Sequence, residues 1–402
     1  MLEPRRAEFA CKYIASTLGT DAALRADAAL LTEVFSALSR EEETLTAHRD
    51  TWGNWDWPFG SAHLNGLINT PFVDDALRRT LGANAARPRW PNGSSFALCL
   101  SHDVDDIARV IGARRAIHSL RDQAVGDGGL RARLRRVYGI AGRAVLSPLL
   151  SESQRPLDQW LDCEAQLGFR STFFVVAPSL ARPHAWDVHY SPTDQITYRG
   201  KRARLNDFFA EAAAGGWDIG LHGSIASATT PGLLLDERRQ IEGIVDRSVT
   251  STRQHFLRFD ISTTPRLQAS AGLTTDSTLG FNRSVGFRSG SAFPHLLWDW
   301  SADETLSLLE VPQHVMDGGL FTSNALEYDV ELAVRHVIRL MDSVEAVGGC
   351  LTLSWHPNGN RSWYDAYVMI LAEAKHRGAW GCSVAQLDAF WRTRLEAART
   401  TA

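Results

Sequence analysis

Lysine is almost missing from this chain. Lys12, Lys201 and Lys375 are the only three in 402 residues, and the other 39 basic side chains are arginine. Genome base composition is the plain account of that bias. An excess of one charge sign is missing as well, since 42 basic and 46 acidic side chains leave −4 at neutral pH. That balance argues against nucleic acid as a partner. Cysteine is sparse: Cys11, Cys99, Cys163, Cys350 and Cys382 are odd in number and form no C-x-x-C pair. A zinc–thiolate site or a disulfide framework is therefore not expected. Cys99 and Cys350 lie in apolar, strand-like runs and read as core. Long apolar runs are absent too. Segments such as Leu233–Leu235 and Thr172–Val176 fall far short of the roughly 20 residues that span a bilayer. The opening Met-Leu-Glu-Pro-Arg-Arg has no basic stretch followed by an apolar one, so a cytoplasmic location is expected if Met1 is the true start.

What is present belongs to a globular protein, with 44% hydrophobic and 22% charged residues. Residues 1–92 read as a mainly helical region. The spacing of Leu24, Leu31, Val34, Phe35 and Leu38 predicts a helix over Ala22–Leu38. Trp52, Trp55 and Trp57 follow, and such a cluster either packs this region onto its neighbour or stacks on a sugar ring. Packing is preferred, given the area that aromatics bury. Arg87–Ser95, with Pro88, Pro91 and Gly93, reads as the connector.

From residue 93 to 398 strands alternate with helices. Apolar runs predict strands at Phe96–Leu100, Ser171–Val176, Trp217–His222, His255–Phe259, Leu306–Val311, Cys350–Trp355 and Trp380–Cys382. Helical spacing is clear at Leu157–Leu167, after Thr230-Pro231, at Asp329–Val347 and around Trp363–Ala374. This α/β alternation argues for a parallel sheet, open or closed into a barrel, whose chemistry sits at the carboxyl ends of its strands.

Those ends carry Ser101-His102-Asp103-Val104-Asp105-Asp106, His222-Gly223-Ser224, Arg258-Phe259-Asp260 and Trp355-His356-Pro357-Asn358, with Asp276 after the helix that starts at Thr264. Singly, polar residues after strands are turn formers and caps. Together they supply oxygen and nitrogen ligands, a carboxylate base and a histidine acid, the parts of metal-assisted hydrolysis.

The set resembles the polysaccharide deacetylase family, the NodB-homology domain of carbohydrate esterase family four, over about Ser95–Leu395. The first family motif is similar to Ser101–Asp105. Gly168–Val175 resembles the Gly-x-x-Thr-Phe-Phe strand, and His222–Ala226 the His-x-x-x-His motif. Leu257-Arg258-Phe259 resembles the arginine motif, Asp276 the fourth motif, and Ser354-Trp355-His356 the Leu-x-His motif. The resemblance implies a deformed (β/α) barrel that removes an N- or O-acyl group, acetyl in the first instance, from a sugar-containing cytosolic substrate. It implies a divalent metal ion, with zinc the expected one, held by Asp105 and His222. Asp103 would be the base, Arg258 its orienting cation, and His356 the acid with Asp276 as its partner. Trp298, Trp300 and Trp355 are candidate walls for an acyl pocket, although core packing suits Trp298 and Trp300 better.

The chain departs from the family pattern in two places. Val104 separates the usual adjacent carboxylates, so the pair is either Asp103 with Asp105, which share one strand face, or Asp105 with Asp106. The first is preferred because the apolar strand residues end at Leu100. The second metal histidine of the family is replaced by Ala226, which leaves the third ligand to His102, His255, Ser227 or water. His102 and His255 both read more simply as core or supporting histidines. Ile107–Pro156 is an insertion whose Arg109–Arg143 part holds nine Arg and two Asp. It is either a solvated helix pair or a basic surface for an anionic glycan, nucleotide or headgroup. Two other functions remain: hydrolysis of a non-sugar amide, and carbohydrate binding without catalysis in a protein that lost its metal at Ala226.

Overall fold

The computed structural model describes residues 2–82, 88–105, 157–184, 186–188, 190–357 and 361–400. The Arg-rich insertion, Asp106 and Asn358 lie outside the described residues. Six helices open the chain: α1 (Pro4–Leu18), α2 (Thr20–Ala23), α3 (Ala28–Leu38), α4 (Glu41–Leu45), α5 (Ser61–Leu64) and α6 (Phe72–Leu81). The helix expected over Ala22–Leu38 is broken in two. Asp27 starts α3 afresh, because its side chain caps the Leu30 N–H at 2.9 Å.

The rest alternates strands and helices. In chain order these are β1 (Ala97–Val104), α7 (Asp158–Leu167), β2 (Ser171–Val176), a hairpin of β3 (Gln195–Tyr198) and β4 (Lys201–Arg204), α8 (Leu205–Ala214), β5 (Asp218–Gly223) and α9 (Leu233–Val245). Then come β6 (Ser251–Gln254), α10 (Thr264–Ser270), β7 (Thr275–Asp276), β8 (His295–Asp299), β9 (Glu304–Glu310), β10 (Val315–Met316) and α11 (Asp317–Phe321). The chain ends with α12 (Val330–Val347), β11 (Cys350–Ser354), α13 (Arg361–His376), β12 (Trp380–Cys382) and α14 (Val384–Thr400).

The main sheet runs β10-β11-β1-β2-β5-β6-β7-β9-β8. Every pairing along it is parallel except β8 with β9. This is an α/β barrel of the deformed, open kind: among the described residues the end strands β8 and β10 do not pair with each other. β1 has three partners. Ala97–Ser101 pairs with β11 on one side. On the other side Ala97–Cys99 pairs with β12 and Leu100–Val104 with β2. Gly381 in β12 makes that arrangement feasible, since a Cβ there would fall 2.0 Å from the Phe169 ring.

Helix α12 shows how the core is built. Asp329 caps its N-terminus on Leu332 N–H, and Gly348, at φ 72°, ends it. Val334, Val337, Met341 and Val344 between them form one buried stripe. The N-terminal helices join the same core. Phe9 and Phe35 of α1 and α3 pack edge-on against Trp298 of β8, at 5.5 and 5.1 Å between ring centres. Among the described residues no helix is long and apolar enough to cross a membrane.

Candidate metal centre and active site

β1 carries the first carboxylates. Side chains alternate along a strand, so Ser101 and Asp103 share one face while His102 takes the other. His102 is completely buried against α7. Its Nδ1 lies 2.7 Å from the Trp355 carbonyl and its Nε2 2.7 Å from the Glu164 carboxylate. It is a packed core histidine, as read from the sequence, and not a ligand.

Asp103 is held by Arg253, not by Arg258. The Arg253 guanidinium is fully buried and donates to Asp103 Oδ1 at 2.8 Å, while Ser354 Oγ donates to Oδ2 at 3.1 Å. Arg253 also donates to Ser101 Oγ and Ser354 Oγ at 2.8 Å, and to the Ser277 carbonyl at 2.7 Å. One side chain thus ties four strand ends together across the barrel interior. Burial alone would raise the Asp103 pKa; the Arg253 charge, with His222 and His356 nearby, holds it below the ordinary carboxylate value.

The misplacement of the arginine comes from the boundary of β6. The strand lies at Ser251–Gln254 instead of His255–Phe259. Residues 255–257 form a tight turn in which Phe256 and Leu257 have φ of 55° and 48°. Arg258 lies beyond this turn, half-buried, with its guanidinium beside Gly53. Arg253 is on the strand itself, and His255, two residues later, comes to the same side.

Three histidines converge on Asp105. His222 Nε2 is 3.2 Å from Oδ1, while His356 Nε2 and His255 Nε2 are 3.4 and 3.7 Å from Oδ2. Each presents Nε2 because Nδ1 is engaged. His222 Nδ1 lies 2.9 Å from the Arg253 carbonyl, its register partner on β6. His255 Nδ1 lies 3.4 Å from Asp187 Oδ1, and His356 Nδ1 2.5 Å from Asp317 Oδ1. A carbonyl or carboxylate behind a histidine fixes the tautomer and frees the other nitrogen to bind a metal.

Asp105, His222 and His255 offer three ligand atoms within 4.8 Å of one another. Ligands about 2.0–2.1 Å from a tetrahedral zinc would be roughly 3.4 Å apart. Asp105 Oδ1 is buried, and His222 Nε2, although 3.2 Å away, makes no well-aligned hydrogen bond to it; a cation shared by the two would satisfy both. The donor set therefore fits a divalent metal, with His255 in the place that the sequence left open. His255 is not a plain core histidine. In the metal-free protein, burial disfavours its charged form, but Asp105 and Asp187 outweigh that and push its pKa up to about 9. Asp105 itself is held well below the carboxylate range: the histidines, His255 foremost, overcome the burial that would raise it.

His356 leans on Asp317, not on Asp276. Asp317 opens α11 directly after β10 and also accepts the His356 backbone N–H at 2.9 Å. Burial would lower the His356 pKa; Asp317 and Asp105 reverse that and raise it well above the usual imidazole value. Asp276 is buried elsewhere, beside Glu310, and accepts from Gln268 and Thr278 at 2.8 and 2.6 Å. Burial raises its pKa, and its oxygens are taken up by these partners instead of by His356.

These groups line a cavity of about 200 Å³ with Trp52, Phe256, Met316 and Asn324 among its walls. None of the three tryptophans proposed for the wall is there. Trp298, Trp300 and Trp355 pack in the core, and the aromatic contribution comes from Trp52, stacked on Phe256 at 5.3 Å. Asp187, Asp317 and Trp52 sit in a loop, after a two-residue strand and in a turn respectively. None of these settings leaves a periodic signal, although Asp317 does obey the strand-end rule.

Fold and site together define an α/β open barrel with a carboxylate held by arginine, three side chains whose ligand atoms could share a cation and a carboxylate–histidine pair at the same rim. No family model matches the chain, and no curated protein matches it. Among solved structures it is similar to a protein from Mycobacterium smegmatis assigned as a polysaccharide deacetylase, at 19% identity and TM-score 0.49, over 77% of this chain and 94% of that one. It is also similar to a mutant of a carbohydrate esterase family four pseudoenzyme with restored activity, at 9% identity and TM-score 0.36, over 74% of this chain and 68% of that one. A mutant of the peptidoglycan deacetylase PdaC from Bacillus subtilis aligns at 13% identity and TM-score 0.35, over 76% of this chain and 96% of that one.

Proposed function

We propose that this chain is a divergent polysaccharide deacetylase, a metal-dependent hydrolase that removes an N- or O-acyl group from a sugar-containing substrate. The observation that carries the reading is the convergence of Asp103, Asp105, His222, His255 and His356 on one cavity. Asp105, His222 and His255 hold the cation, for which zinc is the best match. When bound, such a cation supplies Lewis acidity and makes water a stronger acid. Asp103, ionised beside Arg253, takes the proton of the attacking water. His356, charged beside Asp317, gives a proton to the departing nitrogen or oxygen. The two environments push base and acid apart in pKa, which is how one rim runs both halves of the reaction. His255 standing on Asp105 favours catalysis over sugar binding by a protein that has lost its metal.

The test is acetate release from acetylated amino sugars by the zinc-loaded protein. Asp103→Asn is expected to lower kcat by about 10²–10⁴-fold, the usual worth of a positioned base, with its zinc content unchanged. Asp105→Asn is expected to lose both zinc and activity. Full activity in either variant rejects the assignment.

A further inference from the structure

The proposed chemistry leaves a buried carboxyl pair unused. Asp276 of β7 and Glu310 of β9 are register partners, and both are fully buried. Glu310 Oε2 meets no hydrogen-bond donor among the described residues. Burial and the charge of Asp276 raise the Glu310 pKa well above the ordinary value. Two adjacent buried carboxyls keep one proton and share it.

The pair grips the chain that follows Asp276. Asp276 Oδ1 accepts from Thr278 Oγ1 at 2.6 Å, and Oδ2 accepts from the Thr278 backbone N–H at 3.2 Å. Glu310 Oε1 accepts from the Leu279 backbone N–H at 3.0 Å. Side chains alternate along an extended chain, so Ser277, between Asp276 and Thr278, turns to the other side. There its carbonyl accepts from Arg253 Nε at 2.7 Å, and its Oγ accepts from Arg253 Nη2 at 2.8 Å. That hydroxyl in turn donates to the Val311 carbonyl at 2.8 Å. One edge of the guanidinium thus rests on Ser277, while Nη1 donates to Asp103 at 2.8 Å. A guanidinium is planar and rigid, so fixing one edge aims the other.

We propose that Asp276 and Glu310 are positioning residues: by holding Ser277 they aim Arg253 at Asp103. They act through two intermediaries and touch no reacting atom. A shared proton also means that an amide can replace either acid. In Asp276→Asn the amide N–H takes the place of that proton, and the amide oxygen still accepts from Thr278. Alanine at either position removes the grip. The inference rests on the deacetylase reading only for Asp103 as the base.

The test follows acetate release from acetylated amino sugars by the full-length, zinc-loaded protein, together with crystal structures of the variants. Asp276→Ala and Glu310→Ala are expected to lower kcat by about 10–100-fold, the scale of a misaimed group. KM and zinc content are expected to stay within about twofold, which a general loss of structure would not allow. Asp276→Asn and Glu310→Gln are expected to stay within about threefold of the parent in kcat. In the alanine variants Arg253 Nη1 is expected to lie beyond hydrogen-bond reach of Asp103. Parental kcat in the alanine variants, or Asp276→Asn as impaired as Asp276→Ala, overturns the proposal. Where the alanine variants do not fold, Ser277→Ala decides, since it removes only the acceptor of Nη2. It is expected to lower kcat at least threefold at constant KM, and an unchanged kcat overturns the proposal. If the unmodified protein releases no acetate, the deacetylase reading fails. The variant structures then decide alone: Arg253 still on Asp103 overturns the positioning role, and Arg253 displaced upholds it.

Discussion

At the scale of residues, the centre differs from the sequence pattern by one substitution of place. Ala226, four residues after His222, carries no ligand atom, and His255, in the turn after the next strand, offers one in the proposed centre instead. Two variants test this exchange. His255→Ala is expected to lose tight zinc binding, while Ala226→His in the unmodified background adds little, because the third position is already filled; competition with a chromogenic chelator reads both. Strong gain from Ala226→His alone would show that His255 does not bind. Asp317 offers a second test. Its charge raises the His356 pKa, and His356 must be protonated to act as an acid. Activity is therefore kept below the His356 pKa and lost as pH rises through it. Asp317→Asn lowers that pKa, so the alkaline limb of the kcat profile moves to lower pH; an unmoved limb removes His356 from the acid role. Asp103, Asp105, His222 and His356 were legible because each stands at a strand end in a polar run. Arg253 was not, since a buried cation inside a short strand looks like an error in the strand until its partners are known.

At the scale of elements, the turn after β6 explains most of what the sequence concealed. His255-Phe256-Leu257-Arg258-Phe259 is apolar enough to pass for a strand, and periodicity over so short a run cannot tell a strand from a tight turn. The left-handed backbone at Phe256 and Leu257 costs of order 1–3 kcal/mol per residue and needs outside support. Asn54, from the N-terminal region, provides it. Its amide donates to the Phe256 carbonyl and its carbonyl accepts from Phe259 N–H, both at 3.0 Å. Asn282 donates to the same Phe256 carbonyl at 2.6 Å. Asn54→Ala should let His255 drift from Asp105 and weaken zinc binding by about 10–100-fold, as loss of supporting contacts around a metal does. Chelator competition measures it, and unchanged affinity would mean that the turn holds itself. The longer elements, α12, α13, β2 and β11, were readable because each buries a full stripe or a continuous apolar run. The two-residue strands β7 and β10 were not.

At the scale of the molecule, the helical N-terminus and the barrel share one interior. Glu43 of α4 is buried between Arg40 and Arg288, accepting from Arg40 Nε at 2.8 Å and from Arg288 Nε and Nη2 at 3.0 and 2.8 Å. The two cations hold its pKa below the ordinary value against the burial that would raise it. Glu43→Gln would leave the buried Arg288 guanidinium without its carboxylate, while Arg40 keeps Glu42 at 2.9 Å. We expect about 3–5 kcal/mol of lost stability, read as a lower urea midpoint of a single transition, because the core is continuous across both regions. Two separate transitions would show that the regions unfold independently. The threefold pairing of β1 has a further consequence, for the order of events during synthesis. Ala97–Cys99 leaves the ribosome long before Trp380–Cys382, its partner on one edge. Until then that half-edge is an open template for another chain, and contacts of such sequence separation form slowly. The strand that carries Asp103 is thus among the first to be made and the last to be enclosed, so the chain can acquire its chemistry only when almost all of it has been translated.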